Sequence, residues 1–131
     1  MSPHSAPRIL VVDDEPTILR ALAMALTRGG YDPRIAESGA TAQAYLKSEQ
    51  FDAMIIDLRM PDVRGDELFE FAASLQPHLR DRTVFTTGDT SDRALDLIEA
   101  CGCPLLPKPF DLADILAVIK SLTRRARESS A

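Results

Sequence analysis

Short apolar runs alternate along this chain with longer segments of helical period, and that alternation admits few folds. "RILVVD" (8–13), "FDAMIID" (51–57) and "RTVFTT" (82–87) read as buried strands, whereas "DPRIAE" (32–37) and "CPLLP" (103–107) are polar or proline-bearing and are predicted at sheet edges. After the first strand, Pro16 stands where a first helical turn tolerates it. Ile18, Leu22, Ala25 and Leu26 then share a face, and Gly29-Gly30 stops the helix. Ser38 is predicted to cap a helix running to about Ser48. Gly65 introduces another, with Leu68, Phe69, Ala72 and Leu75 inward, and a helix over about 91–100 is predicted to bury Leu95 and Ile98. Asp111 caps the last, whose stripe is Leu112, Ile115, Leu116, Ile119 and Leu122. Strands separated by helices require right-handed crossovers, so the expectation is a doubly wound α/β fold: a parallel sheet covered on both faces, with strands 8–12 and 53–56 central.

With 131 residues the chain has room for one domain, predicted over 8–124, between an N-terminal tail (1–7) and a polar C-terminal tail (125–131). A net charge of −5 argues against nucleic acid as a partner. The basic run Arg124-Arg125-Ala126-Arg127 closes the last predicted helix, where cations favour the negative end of the helix dipole. No apolar run is long enough to cross a bilayer or form a signal segment, so a cytoplasmic location is expected, with no membrane partner. Cys101 and Cys103 lack the further ligands a metal would need and are read as reduced thiols.

In an open parallel sheet, ligands bind beyond the carboxyl ends of the strands. Here the first strand ends at Asp13-Asp14, the third at Asp57, the fourth at Thr86-Thr87-Gly88 and the fifth at Pro107-Lys108-Pro109. Three carboxylates on one rim repel unless a cation compensates. Oxygen-only ligands on a partly solvated rim favour Mg²⁺, which keeps several waters and takes one or two carboxylates plus a phosphate. Such a rim suits phosphoryl transfer: Asp57 as the attacking carboxylate, with Mg²⁺, Lys108 and the Thr87 hydroxyl stabilising charge on the phosphoryl oxygens.

The segments "LVVDDEP", "IIDLRMPDVRG", "FTTGD" and "LLPKPF" resemble those of the receiver domain of bacterial response regulators, the CheY-like fold, over about residues 8 to 122. The resemblance implies a five-stranded sheet of order 2-1-3-4-5 and makes Asp57 the phosphoacceptor. It places Mg²⁺ on Asp14 and Asp57, on Asp13 through water, and on the backbone carbonyl of Arg59. Thr87 matches the switch hydroxyl, and Lys108 the lysine that precedes a cis proline, here Pro109. One position departs: where many receivers carry Tyr or Phe, this chain has Leu105, which offers neither a ring to swing inward nor a hydroxyl. The "TTGD" and "CGCPLLPKPF" segments look more like receivers of hybrid sensor kinases than those of transcription factors.

The implied function is a Mg²⁺-dependent phosphorelay. The phosphoryl group comes from a histidine kinase or histidine phosphotransfer protein, output passes to a downstream protein through a surface at 91–122, and pairing of two copies of the chain is allowed. The competing reading is a small Mg²⁺-dependent phosphatase or phosphotransferase acting on a small molecule. Against it, the chain lacks a Gly-rich phosphate loop, and neither His4 nor His78 lies at a strand end. Switching is expected in the loop after Thr87, at Gly88. Arg59 and Asp89, flanking the site with opposite charges, are expected to pair as a gate against attacking water.

Overall fold

The computed structural model describes residues 6–88 and 91–129. Five strands, β1 (Arg8–Val12), β2 (Asp32–Ala36), β3 (Ala53–Asp57), β4 (Thr83–Thr87) and β5 (Leu105–Pro107), alternate with helices α1 (Pro16–Arg28), α2 (Gly39–Ser48), α3 (Gly65–Leu75), α4 (Asp92–Cys101) and α5 (Leu112–Ser129). A 3₁₀ turn at Pro77–Asp81 joins α3 to β4. All strand pairings are parallel and the order is β2-β1-β3-β4-β5, so the expected doubly wound fold and its strand order are the observed ones.

Successive residues of a strand face opposite sides of the sheet, and the core divides accordingly. Leu10, Val12, Met54, Ile56 and Phe85 pack on the side covered by α2, α3 and α4. Ile9, Val11, Ala53, Ile55 and Val84 pack on the other, beneath Leu19, Leu22 and Leu26 of α1 and Ile115, Ile119 and Leu122 of α5. β3 is buried along its whole length, as a strand covered on both faces must be.

Three expected core leucines lie outside it. Leu75 is 47 % exposed, Leu95 41 % and Leu112 39 %. A helix turns about 100° per residue, and on α4 the inward stripe is centred on Ala94 and Ile98, which leaves Leu95 well to one side. On α3 the inward residues are Leu68, Phe69, Ala72 and Ala73. The next inward position belongs to Gln76, whose amide accepts from the Phe51 N–H (2.9 Å) and donates to the carbonyls of Leu46 (3.0 Å) and Glu49 (2.7 Å). Those backbone groups need a polar partner, and a leucine there would leave them unsatisfied. Leu112 sits in the first turn of α5, at the margin of its stripe. Leu19 of α1, absent from the sequence-predicted face, is 1 % exposed.

A polar side chain fixes the start of α2. The Ser38 side chain accepts from the Thr41 N–H at 3.2 Å, the N-cap expected from the sequence. Around the start of edge strand β2, Arg34 pairs with Asp32 (2.6 Å) and Glu49 (3.1 Å), and Arg8 with Glu49 (3.2 Å).

Candidate functional site

The parallel register builds the site. Val12 of β1 lies opposite Ile56 and Asp57 opposite Thr86, so the residue after β1 and the last residue of β3 emerge side by side. Thr87 pairs with Pro107, which delivers Lys108 to the same rim. The Lys108 N–H donates to the Thr87 carbonyl at 2.7 Å, fixing the turn, and the Lys108–Pro109 peptide is cis, as the resemblance implies.

Lys108 Nζ lies 3.0 Å from Asp13 Oδ2, 3.0 Å from Asp57 Oδ2 and 3.2 Å from Glu15 Oε1. The remaining oxygens are oriented by backbone: Asp13 Oδ1 accepts from the Glu15 N–H (2.9 Å) and Asp57 Oδ1 from the Arg59 N–H (3.1 Å). Asp13 and Asp57 are buried, at 2 % and 4 % exposure, and Thr87 is wholly buried at the end of β4. Burial is the largest influence on the Asp57 carboxyl and pushes its pKa up, aided by the Asp13 charge. The hydrogen bonds from Lys108 and the Arg59 N–H oppose it without cancelling it. Burial alone would lower the Lys108 pKa, but hydrogen bonds to Asp13 and Asp57 outweigh it and the ammonium is held above its ordinary range.

The site opens into a hollow of about 600 Å³ lined by Asp14, Glu15, Asp57, Arg59, Gly88, Ser91 and Lys108. Oxygens of Asp13, Asp14 and Asp57 lie within 4.8 Å of one another, two of the three residues being buried and Asp14 exposed. This donor set fits a hard divalent cation: all ligands are oxygen, one carboxylate is open to solvent, and the two buried carboxylates share a single lysine for compensation. Mg²⁺ bound only by the folded state should stabilise it, by about 2.7 kcal/mol at a hundredfold excess over the dissociation constant, or about 10 °C in thermal midpoint. Melting curves in EDTA and in millimolar Mg²⁺ check this, and superimposable curves would remove the metal from the site.

Every sequence-predicted rim residue within the described chain is brought to this end of the sheet; Asp89 lies outside the described residues. Leu105 is set back from the rim, paired with Phe85 and half-buried against the core beneath α4. Glu15 and Ser91 were not singled out as site residues from the sequence. Glu15 carries a weak signal, a third acid after Asp13-Asp14, and Ser91 showed itself only as the start of a helix, whose N-cap it is, accepting from the Ala94 N–H at 3.3 Å.

Residues 9–120 match the response regulator receiver domain family. The chain is 32% identical over 124 residues to the response regulator MprA of Mycobacterium bovis (strain BCG / Pasteur 1173P2), covering 95% of this chain and 54% of that protein. It is 34% identical over 116 residues to the DNA-binding transcriptional regulator NtrC of Azospirillum brasilense, covering 88% of this chain and 24% of that one. The chain thus spans about half the length of the MprA relatives it matches. A crystal structure of a CheY-like response regulator receiver domain protein from Methanospirillum hungatei JF-1 superposes with a TM-score of 0.86 at 31% identity, covering 95% of this chain and 99% of that one. Sheet order, rim chemistry and sequence agree, and the chain belongs to the response regulator receiver domain family.

Proposed function

We propose that Asp57 accepts a phosphoryl group from a histidine kinase or histidine phosphotransfer protein in a cytoplasmic two-component relay, and that the module over 8–124 passes the signal on through a protein–protein surface. The observation that carries this is Lys108 Nζ held 3.0 Å from the buried Asp57 carboxylate in a chain of the receiver family. Lys108 on Oδ2 and the Arg59 N–H on Oδ1 fix the Asp57 carboxylate before the donor arrives. One Asp57 oxygen attacks phosphorus, forming the O–P bond as the bond from phosphorus to the donor's nitrogen, or to the oxygen of an acyl phosphate, breaks. Lys108 remains beside the new acyl phosphate to balance its charge. Mg²⁺ held by Asp14, Asp57 and the Arg59 carbonyl, and by Asp13 through water, would supply neutralisation of the phosphoryl oxygens. Thr87 is the hydroxyl the reading assigns to the product state.

Incubation with Mg²⁺ and acetyl phosphate, followed by intact mass and peptide mapping, tests the assignment. A gain of one phosphoryl group on Asp57 supports it. Turnover of many equivalents of donor with no adduct would instead establish a small-molecule phosphatase.

Output is assigned to the 91–122 surface. Because Leu105 has no ring to exchange between exposed and buried positions, phosphorylation is expected to rearrange mainly the loop after Thr87, around Gly88. Amide exchange with and without beryllofluoride should show its largest protection changes there. Changes centred on Leu105 would overturn this reading.

A further inference from the structure

The loop between β3 and α3 carries the Arg59 main chain, and it is anchored on two sides. At its base the Gly65 N–H donates to the Leu58 carbonyl (2.8 Å) and the Leu58 N–H to the Thr86 carbonyl (2.9 Å). At its tip, Asp62 reaches the neighbouring helix. Asp62 Oδ1 accepts from the Gly39 N–H (3.0 Å) and Oδ2 from the Ala40 N–H (3.1 Å), the first two residues of α2. The same tip is seated sterically: a Cβ on Gly39 would lie 2.0 Å from Val63 Cγ1 and 3.3 Å from Asp62 Oδ1. Helix α2 already has an N-cap in Ser38, so the Asp62 bonds add a tie between two elements to a start that is capped without them. The two backbone donors also hold the Asp62 carboxyl below its ordinary range, as expected for a carboxylate that keeps both bonds at neutral pH.

We propose that Asp62 is a positioning residue for the reaction at Asp57: by clamping the loop tip to the start of α2, it holds the Arg59 main chain where its carbonyl meets the metal and its N–H orients Asp57. The inference rests on the reading of Asp57 as phosphoacceptor and of the acidic rim as a Mg²⁺ site. Asp62 itself is outside the lining of the hollow at Asp57 and outside the acidic cluster. Its removal leaves the carboxylates in place and loosens only the main-chain contribution, so it acts on Mg²⁺ affinity more than on the rate at saturation.

The test compares four proteins: wild type, Asp62→Ala, Gly39→Ala and Ser38→Ala. Mg²⁺ affinity is measured by calorimetric titration, phosphoryl uptake from acetyl phosphate is followed against Mg²⁺ concentration, and thermal midpoints are recorded in EDTA. Asp62→Ala should weaken Mg²⁺ binding by about tenfold, the lower end of what loss of a group that orients a metal ligand produces. The Mg²⁺ concentration for half-maximal uptake should rise equally, with little change in the saturated rate. Gly39→Ala, which displaces the same loop tip from the opposite side, should do likewise. Ser38→Ala removes a cap of the same helix without touching the loop, and should lower the midpoint while leaving Mg²⁺ affinity at the wild-type value. Wild-type affinity in Asp62→Ala, or an equal loss in Ser38→Ala, overturns the positioning role while leaving the site reading intact. Wild-type protein that neither binds Mg²⁺ nor takes up phosphoryl overturns the site reading and the inference with it.

Discussion

Asp57→Asn should take up no phosphoryl group from acetyl phosphate and, in EDTA, should melt at a higher temperature than the wild type. The first effect follows from removing the nucleophilic oxygen. The second follows from electrostatics: in the metal-free fold the Asp57 carboxylate is buried beside Asp13, and together these influences outweigh Lys108 and raise its pKa. A carboxyl whose folded pKa lies above its ordinary value of 3.8 binds its proton more tightly folded than unfolded. Its contribution to stability is therefore most favourable in acid. It declines as pH rises from the ordinary value through the raised one, and stays low above that. Asparagine does not titrate, so the stability difference between Asp57→Asn and wild type should be small near pH ~4 and grow in the variant's favour towards pH ~8. Urea midpoints across that range, with EDTA throughout, provide the check. A variant that melts lower than wild type at neutral pH would mean that the Lys108 pairing outweighs burial and that the site is preserved for stability.

Gly65→Ala should be the most damaging single-methyl change near the site. A Cβ there would stand 2.6 Å from the Asp57 carbonyl oxygen and 2.7 Å from Leu58 Cα, backbone atoms that cannot swing aside. Relief requires α3 or the end of β3 to move. Overpacking of this kind destabilises by about 1–3 kcal/mol, and shifting the attacking carboxylate by about 1 Å slows phosphoryl uptake by about 100-fold. Gly88→Ala is the matched control. It lines the same hollow, yet a Cβ there meets no atom of the described residues within 4 Å, so its stability should stay within about 0.5 kcal/mol of wild type. Equal urea midpoints and uptake rates for Gly65→Ala and wild type would show that the strand end is more pliant than the close approach implies.

The rim was legible because each of its members is tied to a strand end, and strand ends are marked locally. The apolar runs stop at Asp13, Asp57 and Thr87, and "LLPKPF" places Lys108 just beyond the last. In a parallel sheet, ends that share a direction share an edge, so local signals sufficed to predict a convergence that the register then delivers. What could not be read were partnerships without a local pattern. Lys108 meets Glu15 across 93 positions, Asp62 meets Gly39 across 23, and Gln76 meets Leu46 across 30. The outward turn of Leu95 has the same origin, since helical period names a stripe but the neighbouring sheet decides which side of it is covered.

The two sheet margins bear on assembly. A bare strand edge is a template for another chain's strand, and here both edges are blunted. β2 carries Pro33, which has no N–H to offer an incoming strand, and around its start lie the charged side chains of Arg8, Asp32, Arg34 and Glu49 in ion pairs. β5 is three residues long, ends on Pro107 and follows Pro104, so its donors are few and its length insufficient for a stable ladder. Growth by strand addition is closed on both sides, which protects the fold from open-ended polymerisation. Contact with a second copy would then fall to the helical faces, where side chains rather than backbone groups make the contacts.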